Sequence, residues 1–192
     1  HYPQITLGIL AGGQGRRAGG RDKGLLVHDG QPLAQRLSAM SKDFTCPPES
    51  IICCRRNAFF YRAYADKLVC DRQFDMGPLG GMLAILSAAS HEDIVILPCD
   101  ALGSMPKNWI SSLLSAAEDS ESGAFITDQG MHTPCCLLRK AALTFIESEL
   151  ARSRPTLRGF YARAGLSSLP LAGAGRDWDR VETPEPDPRA NN

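Results

Sequence analysis

The sequence predicts an α/β fold built on a largely parallel sheet. Three observations carry that reading. Short apolar runs alternate with longer segments of helical periodicity along the chain. Two of the runs, Ile5–Leu10 and residues 94–97, read as buried strands that stop abruptly, at Gly12-Gly13 and at Pro98. The chain has 192 residues, 43% of them hydrophobic and 22% charged, which is ordinary for one globular domain with a real core.

The elements follow in order. After the strand at 5–10, Leu33, Leu37 and Met40 share one helical face. Residues 51–54 form the second strand candidate, followed by a helix over about 57–65 and a short strand at 68–70. Residues 79–90 read as a helix ahead of the strand at 94–97. Pro106 suits the first turn of a helix that runs to about Asp119. Residues 124–127 and 133–138 are strands around a turn at Gln129-Gly130. Residues 141–152 form an amphipathic helix, Pro155 opens another, and 167–171 is a last strand. A single domain over 1–192 is expected, with a partly mobile tail from about 173, where Pro184, Pro186 and Pro188 gather. In open sheets of this kind, ligands bind beyond the carboxyl ends of the strands. Function is therefore expected just after Leu10, Cys54, Cys70 and Leu97.

Composition narrows the classes. Formal net charge is zero, which disfavours a general nucleic-acid or membrane-surface binder. The longest nearly uncharged apolar stretch, residues 77–89, is too short to span a bilayer. The first ten residues lack the basic end and long apolar run of a signal peptide. The seven cysteines are odd in number and contain no Cys-x-x-Cys, so free thiols in a reducing cytosol are expected rather than disulfides or zinc.

The chemistry concentrates between Leu10 and Lys23. Gly12, Gly13, Gly15, Gly19 and Gly20 let backbone N–H groups approach an anion, and Arg16, Arg17, Arg21 and Lys23 bring four positive charges to the same loop. Together they describe a polyphosphate cradle. It is not a P-loop: Gly15 and Gly20 have the spacing, but Arg21-Asp22 follows where Lys-Ser or Lys-Thr is needed. Gly13-x-Gly15-x-x-Ala18 fits a dinucleotide fingerprint, yet more glycines follow and the first convincing helix begins near Pro32. Arg55-Arg56 after the second strand keeps an NADP reading open.

Leu-Ala-Gly-Gly-x-x-x-Arg-x-Gly-Gly-x-Asp-Lys, here Leu10 to Lys23, resembles the signature of molybdenum-cofactor guanylyltransferases. The resemblance continues at Asp71, at Gly77-Pro78-Leu79-x-Gly81, at Pro98-Cys99-Asp100 and at Thr183-Pro184-Glu185. It implies a Rossmann-like three-layer α/β/α nucleotidyltransferase fold. It implies transfer of GMP from GTP to the terminal phosphate of molybdopterin or the molybdenum cofactor, with Mg²⁺, in the cytoplasm. Leu10, Ala11, Gly12, Gly13 and Gly15 would bind the nucleotide. Arg17 and Lys23 would act on its phosphates, Asp71 would lie in the nucleotide site, and Asp100 would be both catalytic and the metal ligand. Transient contact with cofactor-delivery proteins follows from the same resemblance. His132 stands near the family's His-Pro pair, here interrupted by Thr133.

The chain departs from the family's Asn-x-Asn at Cys53-Cys54-Arg55. A thiol cannot reproduce an amide's paired donor and acceptor, so base choice stays open. A molybdopterin cytidylyltransferase, a sugar-1-phosphate nucleotidyltransferase and a non-catalytic nucleotide-binding paralogue remain as alternatives.

Overall fold

The computed structural model describes residues 4–11, 22–28, 30–40, 48–71, 76–101, 106 and 108–172. Nine strands fall within them: β1 (Ile5–Leu10), β2 (Val27–His28), β3 (Gln31–Pro32), β4 (Glu49–Cys53), β5 (Lys67–Val69), β6 (Asp93–Pro98), β7 (Gly123–Asp128), β8 (Met131–Arg139) and β9 (Ser167–Pro170). Six helices accompany them: α1 (Leu33–Ala39), α2 (Ala58–Tyr61), α3 (Pro78–Ala88), α4 (Trp109–Ala116), α5 (Leu143–Leu150) and α6 (Leu157–Ala164). Seven strands form one sheet in the order β5-β4-β1-β6-β8-β7-β9. β5, β4, β1 and β6 pair in parallel, β8 runs antiparallel to both β6 and β7, and β9 pairs in parallel with β7. The expected largely parallel sheet is thus observed, with β8 its one reversed strand. β2 and β3 make a separate two-stranded ribbon.

The apolar runs are strands because both faces of the sheet are covered. On one face Ile5, Leu7, Ile9, Ile52, Val95, Leu97 and Leu137 meet α1, α4 and Tyr61 of α2. On the other, Ile51, Cys53, Ile94, Ile96, Cys136 and Leu138 meet α3, α5 and α6. Alternate residues of each strand point to opposite faces, so a run apolar at every position is what a two-sided core requires. Each fully buried Leu or Ile contributes about 1.5–3 kcal/mol. The result is the three-layer α/β/α arrangement that the resemblance implied.

Turn chemistry sets the connections. Gln129 and Gly130 both have positive φ, 49° and 79°, and join β7 to β8 as a two-residue hairpin loop whose twist matches the strands. Gly77, at φ 64°, precedes Pro78 at the first position of α3. Several helices are shorter than the sequence pattern suggests. The helix expected over 57–65 is only the four residues of α2, entered from Asn57 in the left-handed region. The helix expected from 141 begins as a 3₁₀ turn at Lys140–Ala142 before α5. There Lys140 Nζ donates to the carbonyls of Leu86 (2.5 Å) and Ala89 (2.7 Å) and closes the end of α3.

β1 connects leftward through α1 to β4 and β5, and the chain then returns to place β6 on the other side of β1. The crevice between the ends of β1 and β6 is therefore the topological switch point, where open α/β sheets hold ligands.

Candidate functional site

The ends of four parallel strands are knitted together just beyond the ladder. The Cys54 amide donates to the Val69 carbonyl (3.0 Å), the Ala11 amide to Cys53 (2.8 Å), and the Cys99 amide to Leu10 (3.0 Å). These bonds hold Cys70-Asp71, Cys53-Cys54, Leu10-Ala11 and Cys99-Asp100 on one edge. They are the four places at which the sequence located function.

Lys23 and Asp100 meet on this edge. The ammonium of Lys23 donates to Asp100 Oδ2 at 3.2 Å, across 77 residues of chain. The two side chains are 26% and 20% exposed, so the pair stands at the mouth of the crevice and not inside the core. Lys23 opens a 3₁₀ turn, Lys23–Leu25, capped by Asp22. Asp100 follows directly on β6 and Cys99, whose thiol is pushed up to about 12 by burial and by the Asp100 charge.

Asp71 occupies a different part of the edge. Its carboxylate rests on the first turn of α3, against Gly80. A Cβ on Gly80 would stand 2.6 Å from Asp71 Cγ and 2.7 Å from Oδ2. A Cβ on Gly81 would stand 2.7 Å from Leu10 Cδ2. The Gly80-Gly81 pair thus lets α3 lie close to two of the residues expected in the nucleotide site. Three strand spacings separate the end of β5 from the end of β6, about 14 Å at 4.8 Å per strand. Asp71 and the Lys23–Asp100 pair thus stand at different places along one edge.

Cys53 lies between them and is sealed. It is 1% exposed, beneath Leu10 and Gly81. Burial, then the Asp71 carboxylate, raises its thiol to about 12, so it stays protonated. Arg55, two residues on, is half-buried. His132 stacks on Phe125 with ring centroids 5.0 Å apart, and Phe125 stacks in turn on Tyr161 at 4.3 Å.

Of the residues expected to act, Leu10, Ala11, Lys23, Asp71 and Asp100 share this edge. Gly12, Gly13, Gly15 and Arg17 lie outside the described residues, as does Thr183-Pro184-Glu185. Among the described residues, no three His, Cys, Asp or Glu side chains converge as a metal cage, and no helix is long and apolar enough to cross a membrane. The sequence reading took Asp22 only as part of the Asp-Lys motif and did not single out Asn57 or Tyr61; the three are joined to one another beside Lys23. Asn57 Nδ2 donates to Asp22 Oδ2 at 3.0 Å and the Tyr61 hydroxyl donates to Asp22 Oδ1. Nothing in the run Phe59-Phe60-Tyr61 distinguishes the buried ring from the two exposed ones except the hydroxyl.

A family model described as the MobA-like NTP transferase domain matches residues 7–167. The chain belongs to that family. A curated protein of Pseudomonas putida strain F1 named molybdenum cofactor guanylyltransferase is 35% identical over 185 residues, 95% of each chain. The family's fold appears in solved structures at lower identity. Molybdopterin-guanine dinucleotide biosynthesis protein A from Archaeoglobus fulgidus aligns with a TM-score of 0.60 at 17% identity, covering 87% of this chain and 83% of that one. The structure of CMP:2-keto-3-deoxy-manno-octonic acid synthetase complexed with CTP aligns at 0.66 and 13% identity, covering 92% of each chain. At these identities the solved structures speak for the fold alone. They show that this MobA-like chain shares its fold with those two proteins.

Proposed function

We propose that the chain transfers GMP from GTP to the terminal phosphate of molybdopterin or its molybdenum form, releasing pyrophosphate. The observation that carries this reading is the Lys23–Asp100 pair at the switch point of a MobA-like fold. A relative named molybdenum cofactor guanylyltransferase, 35% identical over nearly the whole chain, supplies the acceptor.

The reaction breaks the bond between the α-phosphorus and the oxygen bridging to the β-phosphate. An oxygen of the acceptor phosphate forms the new bond to the α-phosphorus. That phosphate is already ionised near neutral pH, so the protein needs no general base. Its work is positioning and charge stabilisation, as in other phosphoryl-group chemistry. Leu10 and Ala11 line the start of the nucleotide site. Lys23 neutralises the phosphates, aided by Arg17 and by the N–H groups of Gly12, Gly13 and Gly15. Asp71 serves the nucleoside end.

Asp100 fits a magnesium ligand. It is a partly exposed carboxylate at a strand end, and Mg²⁺ favours one or two carboxylates plus substrate phosphates over a full protein cage. Mg²⁺ bound there would draw charge from the phosphate oxygens. Asp100 would hold the metal, and Lys23, 3.2 Å from its Oδ2, would stand beside the same phosphates. A cytoplasmic location suits these substrates.

A second reading concerns the base. Because Cys53 is sealed, it offers no hydrogen-bonding pair to a purine, and a cytidine nucleotide is the alternative. The test is pyrophosphate release with Mg²⁺ and molybdopterin, comparing GTP, CTP, ATP and UTP. The GMP reading expects release with GTP above all. Release only with CTP would replace it with the second reading, and no release with any nucleotide would remove both.

A further inference from the structure

We propose that Tyr61 is a positioning residue for Lys23, acting through Asp22 and Gly24. The inference rests on the reading of Lys23 as the phosphate-binding lysine. Lysine is a point charge on a flexible four-carbon stem, so where its ammonium works depends on how firmly its backbone is held. Both neighbours of Lys23 are held by one ring.

On the preceding side, the Asp22 carboxylate collects three donors. The Tyr61 hydroxyl and the Gly24 amide (3.3 Å) donate to Oδ1, and Asn57 Nδ2 (3.0 Å) donates to Oδ2. On the following side, Gly24 is pressed against the same ring. A Cβ there would stand 3.0 Å from Tyr61 Cε1 and 3.1 Å from Cζ, and would collide with the hydroxyl. The segment is then closed by the Leu25 amide donating to Asp22 (3.1 Å), Leu26 to Lys23 (3.2 Å) and Leu33 to Leu26 (3.0 Å).

Tyr61 is itself fully buried, in the core shared by α1, α4 and one face of the sheet. Its helix follows β4, the strand whose Cys53 carbonyl accepts from Ala11. The ring therefore references Lys23 to the sheet edge that holds Leu10 and Ala11. Burial, then the bond to Asp22, keeps the phenol protonated well above its ordinary range, so the donor persists across all working pH. Charge-assisted bonds of this kind are the stronger class. The Asp-Lys-Gly run thus divides its labour. Asp22 faces inward as anchor, Lys23 faces the crevice, and Gly24 leaves room for the ring.

The test uses Y61F, which keeps the ring and removes the donor, in the wild-type and K23A backgrounds. Two readouts are taken on the full chain. The first is kcat/KM for Mg–GTP in the pyrophosphate-release assay with molybdopterin. The second is the rate at which Lys23 is acetylated by acetic anhydride, read by mass spectrometry, which needs no turnover. Y61F is expected to lower kcat/KM about 10-fold, and to change the Lys23 acetylation rate at least 3-fold while distant lysines react as before. In the K23A background Y61F is expected to have no further effect on kcat/KM. Effects that multiply, or a Y61F protein that matches wild type in both readouts, overturn the proposal. D22N, which leaves the core ring untouched, repeats the cycle should Y61F fail to fold, with the same expected and contrary results. A wild-type protein that releases no pyrophosphate sinks the transferase reading, and the acetylation rates then decide the positioning claim by themselves.

Discussion

Replacing Gly80 by alanine sets two effects on stability against each other and leaves a third, on activity, unopposed. In an exposed helix the change would stabilise by about 1 kcal/mol, because glycine is a poor helix former. Here the new Cβ would stand 2.6 Å from Asp71 Cγ, whereas ordinary contact begins at 3.4 Å. The atoms it meets are the far end of the partly exposed Asp71 side chain, which can retreat by on the order of 1 Å, so the cost falls at the lower end of the about 1–3 kcal/mol that overpacking brings. The two effects nearly cancel, and Tm should stay within about 2–4 °C of wild type for a chain of this size. The functional cost is larger, because a displacement of about 1 Å in a positioning group is worth up to about 100-fold. G80A should therefore melt close to wild type while kcat/KM for GTP falls. The double variant D71A/G80A separates the effects: removing the carboxylate relieves the collision, so stability rises to wild type or above while kcat/KM stays low. A G80A protein that is more stable than wild type and has unchanged kinetics would refute the reasoning.

Two further outcomes follow from the same geometry. K23A and D100A should each lower turnover about 100-fold or more, as loss of a charge-stabilising group does. The partly exposed pair contributes no more than about 1 kcal/mol to folding, so both variants should melt within a few degrees of wild type in the same thermal scan. Away from the site, Glu49 accepts from Lys67, the Ser90 amide and hydroxyl, and Thr6. Burial raises its pKa, but the Lys67 ammonium and these donors outweigh it and hold the carboxyl at about 2, below its ordinary 4.5. The folded state thus favours the ionised form. Its stabilisation is complete above about pH 4.5 and is lost as pH falls toward 2. With Lys67 partly exposed, screening leaves about 1 kcal/mol of this. E49Q should therefore lower Tm at pH 7 and approach wild type as pH falls through about 2, measured by circular dichroism.

Continuous apolar runs made β1, β4 and β6 legible in the sequence, because strands buried on both faces carry no competing polar pattern. The turn at Gln129-Gly130 was legible from its glycine, and β8 followed as the reversed strand of the hairpin. The short ribbon of β2 and β3 was not, since two residues per strand leave no periodicity to detect. Nor was the brevity of α2, which is set by the left-handed entry at Asn57. In the site, Lys23 and Asp100 were legible as isolated charges beside glycine and after a buried strand. Their mutual pairing was not, because it spans 77 residues. The Gly80-Gly81 pair inside a helix runs against propensity, and close approach by Asp71 and Leu10 is its reason. The anchoring of Asp22 by Tyr61, 39 residues away, left no local trace in sequence.

The central claim is nucleotidyl transfer at the edge that holds Leu10, Lys23 and Asp100. Its most direct test follows label from GTP carrying ³²P at either the α or the γ position, with molybdopterin and Mg²⁺. The account predicts that α-label passes into the molybdopterin product and γ-label leaves as pyrophosphate, with both transfers lost in D100A. Appearance of γ-label as inorganic phosphate with no α-label on molybdopterin would contradict it.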